Sequence, residues 1–425
     1  MSRPVRDVYI VGGSRTPFVK SMTKYAEVSR QDLMVHALKS LNEKFHLPER
    51  PLGDVALGAL LNSSSNWNLA RESVLGAGLH PFTPAYNVQR ACGTSLETTL
   101  QIALKIANHQ IEDGIAGGVD TNSDLPVELS LSLRDKLLEL NRQKTLSAKL
   151  QTLAHLRLED FKPKYPDVIE VRTGLSMGQH AELMVKEWQI SREAQDELAF
   201  RSHQHGAAAY ESGFYDDLVA PFMGLTRDGI LRADTSLAKL AKLPPAYDRQ
   251  HGTLTAGNST PLTDGAAAVL LASEESMKIH GWTPLAKFVD AQVAAIDFVG
   301  GDGLLMAPTV AVAKLLERNN LSLQDFDFYE IHEAFAAQVL CTLKAWESPA
   351  YCQKYLNRSS PLGSIDQSKM NLVGGSLALG HPFAATGARI VAALAKQLSE
   401  KKKGRGLISV CTAGGMGVAA IVEAI

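Results

Sequence analysis

Residues 92–118 and 379–415 repeat one order of elements: a small-residue turn, an amphipathic run, a polar spacer, an apolar run and a Gly-Gly pair. The first copy opens on Cys92-Gly93-Thr94-Ser95 and closes on Gly117-Gly118. The second opens on Gly380-His381-Pro382, continues through a helix predicted over 384–398, a charged spacer over 400–405 and a strand over 406–410, and closes on Gly414-Gly415. A unit repeated in this way constrains the chain to two related halves. A pseudo-two-fold axis between them would set the Cys92 and His381 turns side by side. Two helix N-termini facing one cleft make an N–H-rich, electropositive site suited to a thiolate and a carbonyl oxyanion.

Short apolar runs predict strands at 7–11, 54–58, 85–88, 114–119, 266–272, 285–293 and 326–331. Helices are expected at 31–44, 68–76, 96–108, 191–209 and 309–319, and from His332 through Leu343. In the 96–108 helix, Leu96, Leu100, Leu104 and Ala107 mark the face to be buried, and Ser191 caps the 191–209 helix. Residues 12–18 read as a loop. G-x-G-x-x-G is absent there and Pro17 stands where a helix should open, which argues against a dinucleotide site. The fold class is α/β: two duplicated, layered α/β/α halves with mixed sheets, plus a largely helical insertion. The expected divisions are 1–120 with 251–280 for the N-terminal half, 121–250 for the insertion and 281–425 for the C-terminal half.

Residues 125–160 hold no glycine, one proline, and leucines at 133, 137, 140, 146, 150, 153 and 156. Residues 131–172 carry nine Lys or Arg against six Asp or Glu. This amphipathic, mildly basic segment is expected to pack its leucines on its own domain, with a partner subunit or a membrane surface as the alternatives.

A formal net charge of −2 supplies no field for nucleic acid or an anionic membrane. The four cysteines, Cys92, Cys341, Cys352 and Cys411, form no CxxC pair, which argues against a zinc site or a disulfide framework and for a reducing compartment. Met1 to Asp7 is polar and no apolar signal core follows it. A cytoplasmic location is expected. A thiol at the mouth of a helix lies among unpaired N–H groups at the positive end of the dipole, which lowers its pKa. From its own segment alone, Cys92 reads equally as a small core residue.

Four stretches together resemble the thiolases: RACGTS around Cys92, HGTLTAGNSTPLTDGAAAV from His251 to Val269, GGSLALGHPFAATGAR from Gly374 to Arg389, and CTAGGMG from Cys411 to Gly417. HEAFAAQ, His332 to Gln338, is a fifth match with a departure, because most thiolases carry Asn where this chain has His332. The resemblance implies a thiolase-like fold and acyl transfer between thiol carriers, with Cys92 forming an acyl-enzyme. His381 would take the Cys92 proton, and Cys411 would exchange the α proton of the departing acetyl-CoA carbanion. His381 and His332, the latter directly or through a water, would hold the enolate oxygen. The Cys92 N–H and the backbone N–H of Ala413, where many thiolases have Gly, would form a second oxyanion hole. By the same resemblance, Met177, Ser259 and Thr260 would lie along the pantetheine of coenzyme A and Phe335 on the acyl side. Coenzyme A is then a co-substrate, with no permanently bound cofactor and no metal. Glu333 reads as structural, and Cys341 and Cys352 as packing residues.

His332, the leucine-rich insertion and the GHPFAATGAR string further resemble the thiolase (β) subunits of fatty-acid β-oxidation multienzyme complexes, of the bacterial anaerobic type and its mitochondrial relative. That likeness implies 3-ketoacyl-CoA thiolase activity and a homodimer core. It also implies an α subunit with hydratase and dehydrogenase activities in a complex with two copies of each chain, and peripheral membrane contact through 125–172. The alternatives are a biosynthetic acetoacetyl-CoA thiolase and a non-catalytic thiolase-like carrier of acyl-CoA or lipid.

Overall fold

Strand β1 (Tyr9–Arg15) runs through the interior of a ten-stranded mixed sheet. The computed structural model describes residues 4–47 and 49–425, so Met1–Arg3 of the polar N-terminal stretch lie outside the described residues. Gly12–Arg15, expected in a loop, belong to this strand. A Cβ on Gly12 would meet the Phe45 ring at 2.4 Å, and one on Gly13 the Ala392 methyl at 2.6 Å. Helices therefore press on both faces of the strand, and only glycine fits between them.

Strands β2 (Asp54–Leu57), β3 (Ala85–Asn87), β4 (Asp113–Asp120), β5 (Thr263–Ala272), β6 (Ala286–Ala295), β7 (Phe328–Ile331), β8 (Arg405–Thr412) and β9 (Met416–Glu423) complete the sheet. Their order is β7-β8-β9-β6-β1-β5-β4-β2-β3, and Val19–Lys20 pairs with β5. The two ends repeat one topology. β2 runs parallel to β4, β4 antiparallel to β5 and β5 antiparallel to β1. In the same way β7 runs parallel to β8, β8 antiparallel to β9 and β9 antiparallel to β6. Even β3, parallel to β2, has a counterpart in the single parallel bridge of Tyr329 to Met370. Tyr9↔Lys287 and Ile10↔Ala286 join the halves within the sheet, and the isolated bridges Ser259↔Phe335 and Leu262↔His381 join them outside it.

The helices are α1 (Arg30–Phe45), α2 (Leu69–Gly76), α3 (Thr94–Ala107), α4 (Leu131–Arg142), α5 (Leu146–Ala154), α6 (Met177–Trp188), α7 (Arg192–Glu211), α8 (Ala307–Asn319), α9 (Ala336–Glu347) and α10 (Thr386–Lys401), with the helix Pro349–Leu356 and shorter turns between them. α3 and α10 share one apolar core with the inward faces of both sheet halves. α1 and α2 cover the outer face of the first half, and α8 and α9 that of the second. This layering places the starts of α3 and α10 at the centre of the molecule.

Three expectations are corrected. The buried face of α3 includes Leu96 and Ala107 as expected, together with Thr98, Thr99, Ile102, Ala103 and Ile106, while Leu100 is only half-buried and Leu104 is exposed. Hydroxyls fill the contact that leucine spacing had assigned: Thr98 Oγ1 donates to Gly117 O at 3.2 Å and Thr99 Oγ1 to Ser95 O at 2.7 Å. α9 begins at Ala336, not His332, because His332 N–H donates to Ser409 O at 2.8 Å and prolongs the pairing of β7 with β8. In the insertion, α4 and α5 form as expected, but only Leu133 of their leucines is buried. Leu137, Leu146, Leu150 and Leu153 face solvent, so these leucines do not pack on their own domain. The insertion also holds α6, capped reciprocally by Ser176 and Gln179, and α7, capped by Ser191 Oγ.

Candidate active site

The Cys92 turn holds a strained residue in place with hydrogen bonds. Ala91 has φ +45°, a region that L side chains avoid. Thr94 fixes it: the Thr94 N–H and hydroxyl donate to Ala91 O at 3.1 and 2.7 Å, and Arg90 N–H donates to Thr94 Oγ1 at 2.9 Å. A Cβ on Gly93 would lie 2.8 Å from Val418 and 3.0 Å from Thr412, so the turn rests directly on β8 and β9 beside Cys411.

The two helix starts meet. Ala388 N–H donates to Ser95 Oγ at 2.8 Å, and a Cβ on Gly387 would lie 2.3 Å from Leu96 N. The match is not residue for residue: Gly93 alone separates Cys92 from α3, whereas a 3-10 turn, Phe383–Ala385, intervenes between His381 and α10. His381 lies with Nδ1 2.6 Å from Thr386 Oγ1, and its N–H donates to Thr263 Oγ1 at 3.2 Å. His332 lies with Nδ1 2.9 Å from Ser376 Oγ. The two ring centroids are 4.2 Å apart, and the Nε2 atom of each ring is buried without a partner among the described residues. Buried nitrogens of this kind mark a place for a ligand oxygen.

The centre is less electropositive than two helix dipoles alone would make it. Asp120, at the end of β4, is fully buried and accepts from the N–H groups of Leu60, Leu61 and Ala384 at 3.0, 3.0 and 2.9 Å. Burial lifts its carboxyl to about 6. Burial also pushes the Cys92 thiol up to about 12, opposed by the N–H groups of Ala413 and Cys92 and reinforced by Asp120 and Glu170. The lowering expected at a helix mouth is thus overturned, because desolvation outweighs the dipole. Burial, with Arg389 nearby, drops His381 to about 3. Burial, then His381 and Arg389, hold His332 well below the usual range, and burial with Cys92 raises Cys411. At rest both thiols and both imidazoles are neutral.

The departure at Ala413 leaves its backbone donor in place: the left-handed positions of that turn fall on Gly414 (φ +75°) and Gly415 (φ +68°), and the Ala413 N–H faces Cys92. Glu170 of the insertion accepts from Gly414 N–H at 2.8 Å. Glu333 accepts from Ser202 Oγ, Asn371 Nδ2 and Leu377 N–H at 2.7, 2.6 and 3.2 Å, which fully occupies it in holding the Gly374-Gly375 turn. Ser259 pairs with Phe335, and Thr260 donates through its N–H and hydroxyl to Ala334 O at 3.1 and 3.2 Å. Met177 packs at the edge of the apolar cluster that contains Phe335 and Cys411. A cavity of about 130 Å³ opens beside Ser259, lined also by Lys20, His203, Arg232 and Leu377. Cys341 and Cys352 are buried free thiols. Asp120, Lys20, Arg232, Ser376 and Arg389 escaped the reading of the sequence. Ser376 and Arg389 stand inside the string around His381, but only contact geometry distinguishes them from packing residues.

Two copies of one α/β unit with two thiols and two neutral imidazoles at their junction define an acyltransferase of the thioester type. The profile of the thiolase N-terminal domain matches residues 8–275 and that of the thiolase C-terminal domain residues 282–424, and the chain belongs to the thiolase family. It is 42% identical over 422 residues to the 3-ketoacyl-CoA thiolases of Shewanella sp. (strain W3-18-1) and Yersinia pestis (strain Pestoides F), covering 98% of this chain and 96% of each relative. The crystal structure of the Bacillus anthracis acetyl-CoA acetyltransferase superposes with a TM-score of 0.83 at 31% identity, over 100% of both chains. That of human mitochondrial 3-ketoacyl-CoA thiolase gives 0.82 at 29% identity, over 99% of both.

Proposed function

We propose that this thiolase is a 3-ketoacyl-CoA thiolase (acetyl-CoA C-acyltransferase) of fatty-acid β-oxidation, cleaving 3-ketoacyl-CoA with coenzyme A into acetyl-CoA and a shortened acyl-CoA. The observation that carries this reading is the pair of nitrogens, His332 Nε2 and His381 Nε2, buried without a partner among the described residues, in a centre where Cys411 and Cys92 also lie close enough to interact. Cys92 Sγ attacks the C3 ketone while its proton passes to His381 Nε2. With the thiol near 12 and the imidazole near 3, the transfer accompanies S–C bond formation and does not precede it. The N–H groups of Cys92 and Ala413 receive the alkoxide. The C2–C3 bond then breaks, its electron pair leaves as the acetyl-CoA enolate with its oxygen between His332 and His381, and Cys411 protonates C2. The Cys411 thiolate next takes the proton of the incoming CoA thiol. The CoA sulfur attacks the acyl-Cys92 thioester, and the proton on His381 returns to Cys92 Sγ as it leaves.

Coenzyme A, the co-substrate, would run along Met177, Ser259 and Thr260 with the acyl chain against Phe335. Lys20 and Arg232, at the cavity beside Ser259, suit its phosphates. The division of the chain into two thiolase halves and an insertion for carrier and partner contacts follows the same reading. The uncovered leucines of α4 and α5 favour assigning 125–172 to an α subunit or a membrane surface. β3 has a neighbour on one edge only, with Trp67 and Phe82 exposed at 78% and 80% beside it, which suits the homodimer contact.

The test compares turnover on a long-chain 3-ketoacyl-CoA and on acetoacetyl-CoA, with mass spectrometry of the Cys92 peptide after incubation with acyl-CoA. Long-chain preference with an acylated Cys92 is expected. Preference for acetoacetyl-CoA favours the biosynthetic alternative, and binding without an adduct favours the carrier.

A further inference from the structure

We infer that Ser376 and Arg389 are positioning residues that fix the tautomer of His332, making it a standing Nε2–H donor while His381 stays free to exchange its proton. The inference rests on the proposed thiolase chemistry and adds to it the means by which a histidine serves at position 332.

Arg389 Nη2 donates to Ser376 Oγ at 3.0 Å, and a guanidinium has no acceptor. Ser376 Oγ also lies 2.9 Å from His332 Nδ1, and these two are its only partners among the described residues. Were Nδ1 protonated, the hydroxyl would receive two donors, and its own hydrogen would be buried without an acceptor beside a positive charge. The hydroxyl and Nδ1 are both satisfied when Ser376 Oγ–H donates to Nδ1, which leaves the ring hydrogen on Nε2. The main chain of His332 is held by its N–H bond to Ser409 O at 2.8 Å. The ring therefore presents a fixed N–H to the space it shares with His381, at a centroid separation of 4.2 Å.

His381 is held differently. Its Nδ1 partner, Thr386 Oγ1 at 2.6 Å, receives no second donor among the described residues, so that hydroxyl can turn and either donate or accept. His381 can take and return a proton at Nε2 without breaking the bond to Thr386. Arg389 is itself 2% exposed, and its Nε and Nη1 have no partner among the described residues. The buried guanidinium disfavours a second proton on both imidazoles, so the difference between His332 and His381 rests on their hydroxyl partners.

The test is steady-state thiolysis by the full-length protein, comparing wild type with Ser376→Ala, Ser376→Thr, His332→Asn and the Ser376→Ala/His332→Asn double variant. Ser376→Ala should lower kcat by about 10- to 100-fold with the KM for CoA unchanged, less than the loss from removing an oxyanion donor outright, about 10²- to 10³-fold. Ser376→Thr keeps the hydroxyl and should restore most of kcat. In the His332→Asn background, Ser376→Ala should change kcat by less than about two-fold, because the serine acts only through the histidine. If the alanine variant does not fold, Ser376→Cys, of similar volume and a weak donor, carries the same comparison. Wild-type kcat in Ser376→Ala, or an equal loss in both backgrounds, overturns the inference. Absence of thiolysis in the wild type overturns the functional reading instead, which keeps the two failures apart.

Discussion

The two halves come into close contact at Gly387, and one added methyl there tests whether the meeting of α3 and α10 aligns the centre. In Gly387→Ala the new Cβ would lie 2.3 Å from Leu96 N and 2.9 Å from Leu96 Cβ and Ser95 Oγ. Ordinary contact begins at 3.4 Å, so the helices must part by about 1 Å. The shared bond from Ala388 N–H to Ser95 Oγ, 2.8 Å long, would then be stretched beyond hydrogen-bonding length. Overpacking costs about 1–3 kcal/mol and the lost bond about 1, while replacing a helical glycine by alanine returns about 1. A net loss of about 1–3 kcal/mol is expected, within reach of a urea titration followed by circular dichroism. The same displacement separates Cys92 from His381, and a shift of about 1 Å between reacting groups costs about 100-fold in rate. kcat should therefore fall by about 100-fold, far out of proportion to the change in stability. An unchanged urea midpoint with kcat within about three-fold of wild type would refute the argument.

Two further outcomes follow from the electrostatics and the surface. Because burial raises Cys92 to about 12, less thiolate exists at any given pH than for an ordinary cysteine. Alkylation by iodoacetamide, followed on the Cys92 peptide, should climb steadily through about pH 10, and a plateau with a midpoint below about 8 would contradict the raised thiol. Leu146→Glu/Leu150→Glu alters two exposed leucines and should leave thiolysis intact while abolishing capture by an α subunit or by phosphatidylglycerol vesicles. Retention of both interactions removes the role assigned to 125–172.

The alternation of strands and helices, the duplication and the cysteine and histidine turns were legible because each depends on local pattern: period, turn residues and repeat order. The errors lie where tertiary contact decides. His332–Phe335 carries a helical pattern, but His332 is drawn into bonding with Ser409 and Phe335 into a bridge with Ser259. The buried face of α3 uses threonines that bond to backbone carbonyls, which an apolar count does not register. The direction of the Cys92 shift depends on how deeply the sulfur lies and on Asp120, which arrives from the end of another strand. The leucines of α4 and α5 follow helical spacing whether or not anything covers them.

The seam between the halves divides the chemistry unequally. In the proposed mechanism the first copy supplies the sulfur that carries the acyl group and one N–H, while the second supplies His332, His381, Cys411 and the Ala413 N–H, which exchange protons or hold the oxyanions. Neither copy is a smaller version of the enzyme. Because both belong to one polypeptide, the presence of each reacting group for the others is set by folding and not by the concentration of a partner. Dilution that separates an assembly into single chains would leave this set of reacting groups whole.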